Sequence, residues 1–256
     1  FGEKPIFLKQ DNDMFVFASE LRALVDFVGK PPELCPVGVN LFLHYQFCYE
    51  PHTVLKDIFK LERAHSIKVK DGRIIWKKKY WDFGDIKPLQ GNPAEIVRER
   101  LETSMKRILR SDAKLGIALS AGIDSSMLLA FSRQMLDGPI ECYSVGYPGH
   151  PPYDERRDAK AFAEACGADF KDIELGTEDF IEFFDQLASA MDEPIGDIAA
   201  FGHFSVAKLA SLNGAKVMLS GLGGDELFWG YAWPPVAAKL TEEMIKGQFS
   251  NGTLPR

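Results

Sequence analysis

Cysteine is scarce and badly spaced for metal. Cys35, Cys48, Cys142 and Cys166 are the full set, and no CxxC occurs among them. That excludes a zinc-ribbon or paired-thiol reading and leaves reduced thiols in a cytoplasmic protein. A basic excess is also lacking. Lys and Arg number 30 against 37 Asp and Glu, a formal net charge of −7. A broad nucleic-acid footprint would need the opposite sign, although a local basic pocket is still allowed. No apolar run reaches the roughly 18 residues that a membrane span needs. No signal-peptide pattern is visible. The five histidines, His44, His52, His65, His150 and His203, are dispersed and read as surface or core polar residues.

What is present is ordinary for a globular protein. The chain has 256 residues, 46% hydrophobic and 26% charged, enough for one large domain or two modest ones. It opens at Phe1 in the middle of a pattern and closes in a polar stretch at Arg256. The expectation is a segment of something longer.

Taken in order, apolar runs at 6–8 and 14–18 flank Asp11, Asn12 and Asp13, a β-hairpin with a polar turn. A short helix is expected at 19–24 and a second over 39–47. Runs at 63–69 and 73–76 flank Asp71-Gly72, the strongest short hairpin signal in the chain. The stretch 84–93 has Gly, Pro, Asn and Gln without periodicity and reads as a linker. The domain expectation is therefore 1–83, a linker at 84–93, and 94–256. Pro93 can open a helix, on which Ile96, Leu101, Met105, Ile108 and Leu109 recur every three to four residues. From there strands at 115–119, 140–145, 170–175 and 216–219 alternate with helices at 125–136, 154–166, 178–191 and 201–212. Such alternation implies an α/β fold with a doubly wound parallel sheet. Ligands bind such sheets beyond the strand carboxyl ends, near the switch in strand order. The loops at Ser120, Gly146 and Ser220 should converge there.

The first loop, in KLGIALSAGIDSS, joins a buried strand to a helix through Ser, Gly and Asp. Gly122 lets a ligand approach the backbone. The first N–H groups of the helix lack internal partners and face the loop, beside the positive end of the helix dipole. Ser120, Ser125 and Ser126 can add hydroxyl donors. Asp124 fits among phosphate donors only if Mg²⁺ lies between. An ordinary capped helix, with Ser or Asp as N-cap, uses the same residue types. The loop is no Walker A, because no Lys-Ser or Lys-Thr closes it. The second loop, SGLGGDE at 220–226, repeats the logic with Ser220, Gly221, Gly223 and Gly224, then Asp225 and Glu226 as candidate Mg²⁺ ligands. A Rossmann fingerprint fails on spacing, since Glu226 stands where Gly or Ala is needed. Two acidic, Gly-containing loops at two strand ends of one sheet point to a nucleotide site.

The first loop resembles the SGGxDSS loop of PP-loop ATP pyrophosphatases, with Ala121 at a usual Gly. LSAGIDSS, CYSVGYPG, DEPIGD and KVMLSGLGGDELFWGY together resemble the synthetase domain of glutamine-hydrolysing asparagine synthetases. Upstream, FGEKPIF, FASELRAL and KKKYW resemble the end of that family's class II glutaminase domain. The resemblance covers nearly all of residues 1–231. It implies that Ser120, Gly122, Asp124, Ser125 and Ser126, with Ser220, Gly223 and Gly224, hold the pyrophosphate of ATP. Leu119, Val145 and Gly221 would place the adenosine through backbone contacts. Asp124 and Asp225 would hold Mg²⁺. The implied chemistry is adenylation of a carboxylate, aspartate in the family, then amide formation with ammonia from glutamine. The expected partners are these small molecules, with no nucleic acid, no membrane and a homodimer as the assembly.

Three departures qualify the expectation. Leu222 stands where asparagine synthetases usually carry Glu, which leaves the acceptor open. The family's N-terminal nucleophilic Cys is not in the chain, so glutamine hydrolysis is not expected of it. A family Lys well beyond the second loop has no match, since Lys239 and Lys246 lie at other spacings. The chain is thus expected to bind ATP but to form little amide. Two other readings stay open: another PP-loop enzyme, tRNA-modifying or NAD-forming, and a nucleotide-binding remnant without catalysis.

Overall fold

The structure is a computed structural model, and it describes residues 1–11, 14–29 and 32–245. It opens with an antiparallel pair, β1 (Phe7–Gln10) and β2 (Phe15–Ala18), with Phe7 opposite Ala18 and Gln10 opposite Phe15. Asn12 and Asp13 of the expected turn lie outside the described residues, as does Lys246. Helix α1 (Leu21–Val28) buries Leu21 and Leu24 against Phe7 and Ile58, and Gly29 ends it in the left-handed region at φ 66°. Only glycine enters that region without strain, so it is the usual residue at this cap. Helix α2 (Pro36–Tyr45) has its proline in the first turn, where no N–H is missed. Strand β3 (Phe59–Lys60) pairs with β1. The hairpin β4 (His65–Lys70) and β5 (Arg73–Lys79) closes through Asp71 and Gly72, both with positive φ. That geometry follows the right-handed strand twist and favours the Asp-Gly pair.

A single 3₁₀ turn, Phe83–Asp85, precedes irregular chain up to α3 (Pro93–Ile108), where Asn92 Oδ1 accepts from the Ala94 N–H at 3.1 Å. Then follow β6 (Leu115–Ala118), α4 (Ile123–Met135), β7 (Glu141–Gly146), α5 (Arg156–Ala165) and β8 (Asp169–Glu174). The described chain continues through α6 (Thr177–Ala190), α7 (Ala199–Leu212), β9 (Val217–Leu219), α8 (Gly224–Phe228) and α9 (Trp233–Ile245).

Two compact units result. The first joins Phe1–Ile96 with Gly176–Phe204. Within it, Glu193 of DEPIGD pairs with Lys60 at 2.7 Å, and burial pushes the Glu193 carboxyl up. The second joins Val97–Leu175 with the chain from Ser205 onward, and it contains the sheet.

That sheet has the order β8-β7-β6-β9 with every pair parallel. Ile117, Leu119 and Cys142 pack on one face with Met105 of α3, Leu129 of α4 and Ala159 and Ala163 of α5. On the other face Tyr143, Ala118, Val145 and Met218 pack with Val206 and Ala210 of α7. Successive strand residues point to opposite faces, so both faces must be covered, and they are. The sheet is doubly wound. Leu129 is fully buried, and its truncation to Ala would cost about 2–5 kcal/mol. The chain moves from β6 outward to β7 and β8, then returns to the far side of β6 at β9. The switch in strand order therefore lies between β6 and β9.

At the opposite end of the strands, Glu141 takes hydrogen bonds from Lys114, Lys171 and Tyr143. Burial alone would raise its carboxyl, but those three bonds outweigh burial and bring it down to about 2.

Candidate functional site

The two loops meet at the switch point. A Cβ on Gly221 would stand 3.0 Å from Asp124 Cβ and 3.1 Å from the Ser125 nitrogen. The second loop therefore runs directly across the first turn of α4. At Gly224 a Cβ would meet Asp124 Oδ2 at 2.2 Å. Only a residue without a side chain lets the Asp124 carboxylate lie there. Gly223, the N-cap of α8, has φ 100°, a conformation that L side chains rarely adopt.

The N-cap of α4 is Gly122, with no side-chain capping bond, rather than the Ser or Asp of an ordinary cap. The N–H groups of Ile123, Asp124 and Ser125 have no carbonyl partner inside the helix, and Ser126 is the first to bond back, to the Gly122 carbonyl at 3.1 Å. Ser120 and Ser125 brace the loop. Ser120 N–H donates to Ser125 Oγ at 3.1 Å, Ser125 Oγ donates to the Ser120 carbonyl at 3.0 Å, and Gly122 N–H donates to Ser120 Oγ at 3.1 Å. The Ser125 side chain is buried, and its hydroxyl braces the loop from within. Ser126 is half-buried on the same turn.

Leu119 lies just past β6, with its side chain in the core and its N–H on the Tyr143 carbonyl at 2.9 Å. Val145, near the carboxyl end of β7, packs toward α7. Either residue would meet a ligand through its backbone. Ser220 leaves β9, and its Oγ faces the Leu222 N–H at 3.4 Å. Leu222 itself is exposed.

Of the two acids after Gly224, Glu226 is locally committed. Its Oε2 accepts from the Gly223 N–H at 2.8 Å and its Oε1 from the Tyr231 hydroxyl at 2.9 Å. Its own backbone N–H, Tyr231 and Gly223 hold the carboxyl below its usual range. Asp225 lies against Gly230, where a Cβ would overlap its carboxylate. The Tyr231 hydroxyl is raised by its bond to Glu226, then by burial, then by the charges of Glu226, Asp225 and Asp124. Asp124 and Asp225 thus act on one hydroxyl. Among the described residues no three His, Cys, Asp or Glu side chains form a metal cluster. Two hard carboxylates suit Mg²⁺, which commonly takes one or two and completes its shell with water and phosphate oxygens.

The third loop, after Gly146, is expected from the sequence, but the residues that hold it, Glu155 and Arg156, are not. After β7 the chain is pinned by Arg156, which reaches Asp154 at 2.7 Å, Glu174 at 3.0 Å, Asp172 at 3.2 Å and the Tyr147 carbonyl at 3.2 Å. The guanidinium holds the Asp154 carboxyl far below the carboxylate range. Gly146 lies so close to it that any Cβ would overlap Nε. From this anchor Glu155 reaches the Ala121 N–H at 3.0 Å. The loops after β6, β7 and β9 therefore meet at the carboxyl ends of the strands.

The family profile described as asparagine synthase matches residues 96–252, and one described as a glutamine amidotransferase domain matches residues 1–81. A Methanocaldococcus jannaschii protein provisionally named asparagine synthetase (glutamine-hydrolysing) 2 is 32% identical over 236 residues, 90% of this chain and 45% of that protein. Bacillus subtilis asparagine synthetase (glutamine-hydrolysing) 1 is 30% identical over 235 residues, 90% of this chain and 36% of its own. Gibberella zeae amidase chry2 is 23% identical over 250 residues, 90% of this chain and 37% of its own. The chain spans less than half the length of these relatives.

Proposed function

The chain belongs to the asparagine synthase family, and from that premise we propose that it carries the ATP-binding crevice of an amide-forming ligase. In this reading a carboxylate oxygen attacks the α-phosphorus of ATP, pyrophosphate leaves, and an acyl-adenylate forms. Ammonia from glutamine then attacks the acyl carbon and AMP leaves. Dividing the reaction in this way replaces one difficult displacement by two easier ones.

The observation that carries the reading is the crossing of the second loop over the first turn of α4, with Gly221 and Gly224 stripped back to admit Asp124. The N–H groups of Ile123, Asp124 and Ser125 bind phosphate oxygens, and the helix dipole adds to their pull. The Ser120–Ser125 brace fixes those donors before the nucleotide arrives, so little reorganisation is needed on binding. Mg²⁺ would be held by Asp124 and Asp225 and would supply charge neutralisation at the phosphates. The Tyr231 hydroxyl, raised chiefly by its bond to Glu226, donates to that carboxylate at 2.9 Å and fixes the second loop.

Aspartate is the first acceptor to test. Leu222, exposed between two glycines, can neither accept a hydrogen bond nor bind a cation, so the acceptor is a carboxylic acid that need not be aspartate. The test is ATP–pyrophosphate exchange with a panel of carboxylic amino acids and Mg²⁺. Exchange that depends on one acceptor supports the adenylation reading. Nucleotide binding without exchange for any acceptor would reduce the function to binding.

A further inference from the structure

Glu155 brings an anion of the protein's own to the first loop. It is the N-cap residue of α5, yet its side chain makes no capping bond there. Instead Oε2 accepts from the Ala121 N–H at 3.0 Å. Ala121 lies between Ser120 and Gly122, one residue before the N-cap of α4, whose first N–H groups are the phosphate donors of the proposed site. The contact joins residues 34 apart in sequence, so local turn geometry does not account for it.

The backbone on either side of Glu155 is fixed. The Asp154 side chain is 1% exposed and pairs with Arg156, which is itself tied to Asp172 and Glu174. Glu155 is exposed, so its carboxylate can swing out without breaking the anchor or uncapping α5. To an N–H donor, a carboxylate oxygen and a phosphate oxygen are equivalent: each is an anionic acceptor that strengthens the bond.

We propose that the Glu155 carboxylate is a built-in stand-in for the pyrophosphate end of the nucleotide, holding the Ala121 N–H until a polyphosphate displaces it. The inference rests on reading the crevice as a nucleotide site. Glu155 then lowers polyphosphate affinity, by competing for one donor and by repelling like charge, while the loop's shape is held by the Ser120–Ser125 brace. It sets affinity and takes no part in the chemistry.

The sign of the effect is the test. A metal ligand or a structural prop loses affinity when removed, whereas a competitor raises it. Inorganic pyrophosphate, ATP and AMP, each with Mg²⁺, are titrated by calorimetry into the 256-residue chain and its Glu155→Ala and Glu155→Gln variants. A charge-assisted bond to one N–H corresponds to roughly tenfold in affinity. Pyrophosphate and ATP should therefore bind about tenfold tighter to Glu155→Ala. The gain should be smaller in Glu155→Gln, whose amide oxygen still accepts but carries no charge. AMP, which lacks the β- and γ-phosphates, should be unchanged in both. Unchanged or weaker pyrophosphate binding in both variants overturns the proposal, as does equal tightening of AMP. If no form of the chain binds any of the three probes, the nucleotide reading itself falls and takes this proposal with it.

Discussion

At Gly224 the space for one hydrogen decides where Asp124 can lie. In Gly224→Ala the new methyl would overlap the Asp124 carboxylate, which would have to turn away. Because a short surface-side carboxylate moves rather than the backbone, stability should fall by less than about 1 kcal/mol. Affinity for ATP with Mg²⁺ should fall about tenfold or more, since a displaced carboxylate no longer serves the cation. Calorimetry beside a thermal melt separates the two effects. Asp124→Asn keeps the shape but exchanges a carboxylate for a poorer cation ligand. It should weaken ATP binding in Mg²⁺ and leave AMP binding without metal unchanged. Equal ATP affinity in the two proteins would remove Asp124 from the metal role. Ser125→Ala asks a different question. Its buried hydroxyl holds the loop from inside, so stability should drop by about 1–2 kcal/mol and pyrophosphate affinity should fall with it. A stability unchanged by this substitution would show that the brace is dispensable.

Strand β7 reaches the meeting of the loops at one end and a cluster of ion pairs at the other. Its carboxyl end carries Val145 and Gly146, the latter against Arg156, while Glu141 at its start gathers Lys114, Lys171 and Tyr143. The Glu141 carboxyl titrates at about 2 in the fold against 4.5 ordinarily. Its stabilisation is therefore present above pH 4.5 and is lost as pH falls from there toward 2. Discounted for the partly exposed lysines, it amounts to about 2 kcal/mol. Urea unfolding at pH 7 and at pH 2.5 should show Glu141→Gln destabilised by about that amount at the higher pH and by little at the lower. An equal deficit at both would exclude the ionised carboxylate as the cause. The elements themselves are legible in the sequence where pattern and punctuation agree, as in the Asp71-Gly72 hairpin and the apolar strand 115–119 feeding a Gly-Ile-Asp-Ser turn. Their ends shift where side chains make tertiary contacts. Helix α5 starts at Arg156 and not at Asp154, because Asp154 accepts from the Tyr147 N–H and from Arg156. Leu119 falls outside β6 by one residue yet continues its bonding to β7.

Over the whole molecule, the parallel sheet and its switch between β6 and β9 follow from the alternation of strands and helices, and with them the meeting of the two glycine loops. What sequence pattern does not carry is which polar group faces inward. The bracing bonds of the buried Ser125 hydroxyl have no sequence signal. Nor does the pattern show that Glu226, a metal candidate beside Asp225, accepts from the Gly223 N–H and the Tyr231 hydroxyl. The reach of Glu155 to Ala121, and the membership of Gly176–Phe204 in the first compact unit, depend on contacts distant in sequence, for which no local periodicity exists. Among the described residues no helix is long and apolar enough to cross a membrane. The central claim is that one nucleotide binds between the loops after β6 and β9. Amide hydrogen exchange of the chain, with and without ATP and Mg²⁺, tests it most directly, because the proposed ligands are largely backbone N–H groups. The account predicts slowed exchange at 120–126 and at 220–226 together, with the β4–β5 hairpin unchanged. Saturating ATP that slows neither loop, or slows exchange only outside them, would contradict it.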